Sequence, residues 1–253
     1  LAVGTNMGQI ELHQWQDEMN GWNRTAIEWV HREAVQQLLW IQDQAGSTTL
    51  VSGSLDKQIL GRRLLETGAH DMEKPSRYEG GDDRDAVYAA HESPVTALAD
   101  LGSGKFASGA ANGAIRIWCS SRKEVERSIH LNAGGVTCLQ WLPQHGWLAS
   151  GHCKASKIML TDPWDSGYES TALRQADETF SLLWIPQRAW LLSGNRQGRV
   201  RVWRIVSNTS AAGHRSNVAA NPDRLEAGGA ETGMEEASSA DGTNGQGAGI
   251  ASP

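Results

Sequence analysis

Short runs in which β-branched residues alternate with polar residues recur along the chain. The two clearest examples extend from Ile115 to Trp118 (IRIW) and from Val200 to Trp203 (VRVW). Such alternation is typical of a β-strand that buries one face of its sheet. The hydrophobic pattern therefore predicts an all-β fold built from many short strands.

A short element in which two apolar or small residues precede Ser-Gly recurs between these runs. It reads LVSGS, FASGA, LASGH and LLSGN in four copies and LAVGT in a degraded first copy. The glycines of the five copies are Gly4, Gly53, Gly109, Gly151 and Gly194, at intervals of 49, 56, 42 and 43 residues. A period of this size, with some longer intervals, is typical of the blades of a β-propeller.

Each repeat predicts a four-stranded antiparallel sheet. An apolar pair three residues apart precedes the Ser-Gly strand, and an X-Gly turn such as Asn112-Gly113 leads into the alternating strand. Gly suits a tight hairpin because it adopts positive φ without strain. A more polar outer strand follows, for example from Val125 to Leu131. The periodicity of Ala26 to Ile41 also fits an amphipathic helix, but its alignment with the other repeats favours two strands.

The third copy, HESPVTALADLGSGKFASGAANGAIRIW, resembles the WD-repeat β-propeller family, and the resemblance covers about Leu1 to Ile205. It implies that a His, a Ser, a turn Asp and a strand Trp form one hydrogen-bonded set inside a blade. The matching residues are His91, Ser108, Asn112 and Trp118 in the third copy, and His31, Ser52 and Asp56 in the second. Arg62 stands where the second copy would have the Trp, and no copy ends in Trp-Asp.

The visible repeats amount to four full blades and part of a fifth, which predicts an incomplete ring. No outer strand is predicted after Trp203. In WD-repeat propellers the last blade commonly takes that strand from the N-terminal region. The resemblance thus implies a preceding region that supplies this strand and roughly two more blades. We therefore expect residues 1–205 to form a partial propeller and the chain to be a fragment.

The last part of the chain has a different composition. From Ser207 to Pro253, 24 of 47 residues are Gly, Ala or Ser, none is aromatic, and the formal charge is −4. Such a segment buries too little apolar surface to offset the entropy of ordering it. We expect residues 206–253 to form a disordered, acidic tail.

The sequence offers little for catalysis. The repeated serines and histidines are explained by their position in the repeat, and no phosphate-binding loop or dinucleotide fingerprint occurs. The three cysteines do not make a disulfide framework, and no second Cys or His cluster stands at ligand spacing from His152 and Cys153. We predict that the protein is not an enzyme and that it takes no cofactor or metal.

Two surface regions are candidates for partner contact. The segment from Leu65 to Ala90 lengthens one link between repeats and contains Tyr78, Asp82, Asp83 and Arg84, although a tolerated, solvated insert is the simpler interpretation. The other candidate is Trp164, because an exposed Trp is common at the centre of binding surfaces.

Charge and hydropathy narrow the class of partner. The net charge is −6, which gives no support to nucleic-acid binding, and no run of 18 apolar residues predicts a membrane span. The favoured function is a non-enzymatic scaffold that binds other proteins as a monomeric subunit of a hetero-complex. The location expected is the cytoplasm, with the nucleus as the alternative.

Two other functions remain open. The repeats could be the C-terminal propeller of a larger multidomain protein (trafficking, ubiquitin-ligase or kinase-linked) whose activity lies upstream of Leu1. An enzymatic propeller with a site in the central channel is the weakest option, because the strand starts carry mainly apolar or small residues.

Overall fold

A computed structural model describes residues 1–16, 21–43, 46–63, 85–88, 91–165, 170–175, 177–207 and 218–223. Within these residues the chain forms five antiparallel sheets, here called blades 1 to 5 in chain order, and one short 3-10 helix at Pro186–Arg188. The expected all-β fold is confirmed. No helix in this described part is long and apolar enough to cross a membrane.

Blade 1 has three strands and the other four blades have four each. Blade 1 contains β1 (Ala2–Gly4), β2 (Gln9–Gln16) and β3 (Gly21–Trp29). Blade 2 contains β4 (Val35–Gln42), β5 (Thr48–Ser54), β6 (Ile59–Arg63) and β7 (Asp85–Tyr88). Blade 3 contains β8 (Val95–Gly102), β9 (Lys105–Ala110), β10 (Ala114–Cys119) and β11 (Glu124–His130).

The last two blades continue the same plan. Blade 4 contains β12 (Val136–Leu142), β13 (Trp147–His152), β14 (Lys157–Thr161) and β15 (Ser170–Arg174). Blade 5 contains β16 (Thr179–Ile185), β17 (Trp190–Asn195), β18 (Val200–Ser207) and β19 (Val218–Asp223). In every blade the spatial order of strands equals the chain order, so each is a run of hairpins. The helical alternative for residues 26–41 is wrong, since β3 and β4 fill that segment.

The end of blade 5 differs from the sequence-based expectation. We predicted no outer strand after Trp203, but β19 pairs with β18 in register from Val202 to Ser207. The predicted disordered segment 206–253 therefore includes the end of β18 and a paired strand, while residues 208–217 and 224–253 lie outside the described residues. The sequence of β19, VAANPD, has no alternation of apolar and polar residues, so the hydrophobic pattern did not predict this strand. A strand edge can pair with such a segment through backbone hydrogen bonds alone.

Apolar cores lie between consecutive blades. Blade 3 packs Ala97, Ala99 and Ile117 against Val136 and Leu139 of blade 4, and similar clusters join the other neighbouring pairs. The contacts between neighbouring blades follow the series β1, β4, β8, β12 and β16. Among the described strands this series does not return from β16 to β1, so the ring is open as predicted.

The recurring glycine is explained by contact between blades. A Cβ added at Gly109 would lie 2.4 Å from Cγ1 of Val136, the first residue of the innermost strand of the next blade. The same close approach joins Gly53 to Val95 at 2.7 Å. Only a residue without a side chain lets the next blade come this near.

Candidate functional site

In blade 2 the structure brings His31, Ser52 and Asp56 together. Nε2 of His31 lies 2.8 Å from the Ser52 hydroxyl, and Nδ1 lies 3.0 Å from a carboxylate oxygen of Asp56. Because that carboxylate accepts, Nδ1 carries the proton and Nε2 accepts from the hydroxyl. This set ties the loop before β4 to strand β5 and to the turn that follows it.

Burial and hydrogen bonds determine the protonation states of His31 and Asp56. Burial lowers the pKa of His31, and this effect outweighs the opposing influence of Asp56. Burial alone would raise the pKa of Asp56, but the backbone N–H groups of Arg32 and Gln58, each 2.9 Å from its carboxylate, and the nearby His31 lower it. The result is a neutral imidazole beside a carboxylate.

In blade 3 the serine has a different set of partners. The Ser108 hydroxyl lies 2.6 Å from Nε2 of His91 and accepts from the indole N–H of Trp118 at 2.7 Å. Burial lowers the pKa of His91 to about 4, with a smaller contribution from Arg116. The amide oxygen of Asn112 accepts from the backbone N–H of Ala114 at 3.1 Å. Asn112 therefore does not join the set, and Nδ1 of His91 is buried without a hydrogen-bond partner among the described residues.

Blades 4 and 5 use residues that the sequence analysis missed. In blade 4 the histidine that contacts the serine is His152. Its Nε2 lies 2.8 Å from the hydroxyl oxygen of Ser150, and its Nδ1 lies 3.0 Å from the carbonyl oxygen of Gly134. In blade 5 the Ser193 hydroxyl donates to the amide oxygen of Gln175 at 2.7 Å. It also accepts from the indole N–H of Trp203 at 2.9 Å.

Spacing could have revealed one of these residues. Gln175 lies 18 residues before its serine, close to the 17 that separate His91 from Ser108. His152 instead comes from the same strand as Ser150, two residues further on. Alternate residues of a strand share a face, so the contact is natural, but nothing in the repeat spacing predicts it.

The geometry of these hydrogen-bonded sets indicates a structural role inside the blades. The four serines are at most 2% exposed, and each hydroxyl is engaged inside its blade, so an external substrate has no route to them. Among the described residues no group of three or more His, Cys, Asp or Glu side chains could hold a metal ion. Cys119, Cys138 and Cys153 are free thiols.

Trp164 lies on a short loop between β14 and β15, and its side chain is 43% exposed. The loop is held at three points. The carboxylate of Asp162 accepts from the backbone N–H of Trp164 at 2.8 Å. The guanidinium of Arg127, from blade 3, donates to the carbonyls of Pro163 at 3.2 Å and Asp165 at 2.5 Å. Blade 3 thus clamps the blade 4 loop that carries the indole.

A cation covers part of the indole ring. Nζ of Lys105 lies 4.5 Å from the ring centroid of Trp164, which is within the range of a cation–π contact. Glu126 accepts from Lys105 at 2.8 Å and also from Arg122. The indole therefore lies beside a small group of paired charges, with much of its surface in solvent. Tyr78, Asp82, Asp83 and Arg84, the other predicted contact residues, lie outside the described residues.

Comparison with known proteins agrees with the geometry. The family model described as "WD domain, G-beta repeat" matches residues 84–119 and 124–162. The first range comprises the outer strand of blade 2 and most of blade 3. The second comprises the outer strand of blade 3 and most of blade 4. Two repeats of the chain are therefore similar to WD repeats. The subfamily is not identified.

A solved structure shows the same fold. A chain of the "Crystal Structure of Mitotic Checkpoint Complex" is similar to this chain with a TM-score of 0.62 and 18% sequence identity. The alignment covers 87% of this chain and 59% of that chain, so the present chain spans about three fifths of that neighbour. Comparison with curated proteins gives no match.

Proposed function

We propose that this WD-repeat protein is a non-enzymatic scaffold that binds partner proteins on its outer rim, with Trp164 at the centre of one contact surface. The observation that carries the proposal is a half-exposed indole on a clamped loop. A loop that is already held in place loses little conformational entropy when a partner covers it. Truncating such a residue in the middle of an interface often costs 2 kcal/mol or more.

The proposed assembly is a hetero-complex in which this protein is one monomeric subunit. Two features support it: WD-repeat propellers offer rigid rims to proteins, and the similar solved chain belongs to a structure titled as a complex. We further propose a cytoplasmic location, which fits three thiols that are not joined in disulfides.

The test is quantitative affinity purification from the source cells with tagged wild-type protein and the variants Trp164→Ala and Trp15→Ala. Trp15, on blade 1, is the matched control because its side chain is 44% exposed. We expect recovery of a defined set of proteins to fall by about tenfold or more with Trp164→Ala and to stay unchanged with Trp15→Ala.

Recovery of the same proteins with Trp164→Ala would overturn the rim proposal. An equal loss with both tryptophan variants would point to a general folding defect, which circular dichroism of each variant would show. Alanine at Tyr78, Asp82, Asp83 and Arg84 in the same assay tests the second predicted contact region.

As an alternative we propose that the repeats are the propeller of a larger multidomain protein (trafficking, ubiquitin-ligase or kinase-linked) with its activity upstream. The alternative is supported by the share of the similar solved chain that this chain covers, which is 59%. A transcript that encodes further repeats before Leu1 would support it, and a transcript that encodes only these residues would exclude it.

A further inference from the structure

Positively charged side chains gather at one end of blades 4 and 5, around the β13–β14, β15–β16 and β17–β18 loops. The backbone N–H of Arg196 donates to the carbonyl of Glu178 at 3.2 Å, which ties two of these loops together. The guanidinium of Arg201 donates to the carbonyl of Arg174 in the neighbouring blade at 3.5 Å. The set called the basic cluster here consists of the Lys and Arg residues in these loops and at the adjoining strand ends: Lys154, Lys157, Arg174, Arg196, Arg199 and Arg201.

The two acidic residues of the same loops, Asp177 and Glu178, are already engaged. One carboxylate oxygen of Glu178 accepts from the backbone N–H of Lys154 at 2.8 Å, and the other lies 3.7 Å from the guanidinium of Arg196. The carboxylate of Asp177 accepts from the backbone N–H of Glu178 at 2.8 Å. Two carboxylates therefore face six cations, and only one of the six cations forms an ion pair with them in the described part of the chain.

The rest of the basic cluster has no anion to balance it. The side chains of Lys154, Arg174 and Arg199 are exposed, and none of them pairs with a carboxylate among the described residues. Lys157 and Arg174 also stand directly opposite each other on β14 and β15. Like charges at such a cross-strand position destabilise a sheet. An anion bound over the cluster would relieve this repulsion, so the cluster has the properties of an anion-binding surface.

Strand register brings an acidic segment to this end of blade 5. β19 ends with Asp223 opposite Val202, which is three positions after Arg199 on the neighbouring strand. The chain therefore leaves the sheet beside the basic cluster. Residues 226–241, which lie outside the described residues, follow at once. They contain no Lys or Arg and carry five acidic residues: Glu226, Glu231, Glu235, Glu236 and Asp241.

The length of this segment suits the distance to be covered. An extended chain spans about 3.3 Å per residue, so Glu235 and Glu236 reach points within about 40 Å of Asp223. Neighbouring strands lie about 4.8 Å apart and packed sheets about 10 Å apart, which puts the loops of both blades within this reach. Tethering also gives the segment an effective concentration on the order of mM at the cluster. A second copy of the chain at lower concentration competes poorly with it.

We propose that residues 226–241 bind the basic cluster of their own chain and keep other anions away from it. Their carboxylates pair with the exposed side chains of Lys154, Arg174 and Arg199. An acidic segment of another protein then reaches the cluster only by displacing them, so the contact regulates access to this end of blades 4 and 5. Trp164 lies on the β14–β15 loop, at the opposite end of blade 4, and the contact does not depend on the rim surface around it.

The test is carbodiimide crosslinking of the full chain followed by mass spectrometry. The reagent joins a carboxylate to a lysine amine without a spacer, so it reports direct contact. Lys57 is the matched control because it is exposed, lies in the corresponding turn of blade 2, and has positive φ (74°) as Lys154 has (64°). We expect crosslinks from residues 226–241 to form with Lys154 in about tenfold higher yield than with Lys57.

A double variant identifies the cations that hold the segment. Arg174→Gln combined with Arg199→Gln removes two exposed cations and breaks no ion pair of the described residues. The crosslink yield at Lys154 should fall by about fivefold. Arg204→Gln is the matched control, since Arg204 is also exposed on β18 but lies beyond the cluster, opposite Trp190. Its crosslink yield should stay that of the wild type.

Salt provides a measurement without substitutions. Raising the salt concentration from about 50 mM to about 500 mM screens exposed charges and should lower the yield at Lys154 towards that at Lys57. Equal yields at Lys154 and Lys57 at low salt would overturn the proposal, and so would an unchanged yield in the Arg174→Gln, Arg199→Gln variant.

A mixture of isotope-labelled and unlabelled chains shows which chain supplies the segment. Crosslinks that join a labelled chain to an unlabelled one would overturn the proposal, because a second copy would then be the occupant. Crosslinks confined to single chains support it. Recovery of partner proteins with Trp164→Ala is a separate measurement, so the two proposals fail separately.

Discussion

Blades 2 and 3 place a buried serine at the same position and give it different partners. In blade 2 the set is His31, Ser52 and Asp56, and it reaches a carboxylate in the turn after β5. In blade 3 the serine binds His91 and Trp118, and the turn residue is not included. Each blade thus keeps a different part of the hydrogen-bonded set that the WD-repeat resemblance implies.

The difference shows two ways of holding a strand in place. Trp118 is fully buried and contacts three rings: it stacks on Phe106 at 6.0 Å and meets Tyr88 and His91 edge-on. Blade 3 is therefore stabilised mainly by packing. Blade 2 has Arg62 at the corresponding position and relies on the carboxylate of Asp56, which accepts from two backbone N–H groups as well as from His31. Four predictions test this contrast.

The largest effect is expected for Trp118→Ala. It removes the indole from an aromatic cluster and leaves a cavity, which should lower the free energy of unfolding by about 4 kcal/mol. Asp56→Ala in blade 2 should cost about 2 kcal/mol, because it removes hydrogen bonds but little packed volume. Urea denaturation followed by circular dichroism measures both. If Asp56→Ala destabilised the protein more than Trp118→Ala, the contrast between packing and charge would be wrong.

The next effect is a loss of stability in weak acid that depends on His91. Its pKa falls from 6.5 to about 4 on folding, so the unfolded chain takes up the proton first as the pH is lowered. Stability is therefore complete above about pH 6.5 and declines until the pH reaches about 4, by about 3 kcal/mol in total. His31 acts in the same direction, but Asp56 opposes the shift of its pKa.

His91→Gln should flatten this decline, since glutamine carries no titratable group. The free energy of unfolding measured from pH 7 to pH 4 for wild type, His91→Gln and His31→Gln separates the two histidines. An equally steep decline in His91→Gln would assign the acid sensitivity to other groups. Below this range the lowered pKa of Asp56 adds a further loss as its carboxylate becomes protonated.

A smaller difference is expected between Ser108→Ala and Ser52→Ala. Removing the Ser108 hydroxyl leaves the buried Trp118 N–H without its acceptor and Nε2 of His91 without its hydrogen-bond partner, at a cost of about 2 kcal/mol. Removing the Ser52 hydroxyl leaves Nε2 of His31 without its partner and removes a longer, 3.4 Å hydrogen bond to the carbonyl of Leu60. This change should cost about 1 kcal/mol. Equal losses of unfolding free energy in parallel urea titrations would show that the hydrogen bond from the Trp118 indole adds nothing to stability.

Sequence reasoning captured the features that repeat and missed those that do not. The strands, the hairpin turns and the open ring follow from patterns present in several copies. His152 and β19 occur once each, and their roles depend on neighbours in space rather than on the repeat. The clamp on the Trp164 loop joins Arg127 to a carbonyl 36 residues away, which no local pattern encodes. Asn112 was assigned by position, but a neutral amide does not attract an imidazole N–H as a carboxylate does.

The smallest effect, and the sharpest test of the contrast, is expected for Asn112→Asp. A carboxylate at this turn would take the place that Asp56 has in blade 2 and accept from Nδ1 of His91, which has no hydrogen-bond partner among the described residues. The change should raise the pKa of His91 and stabilise the protein by about 1 kcal/mol at neutral pH. NMR titration of the His91 ring measures the pKa directly, with Asn112→Ala as the control that removes only the bond to Ala114. If the pKa of His91 did not rise, the turn of blade 3 would be out of reach of its histidine, and the two blades would differ in backbone geometry rather than in one side chain.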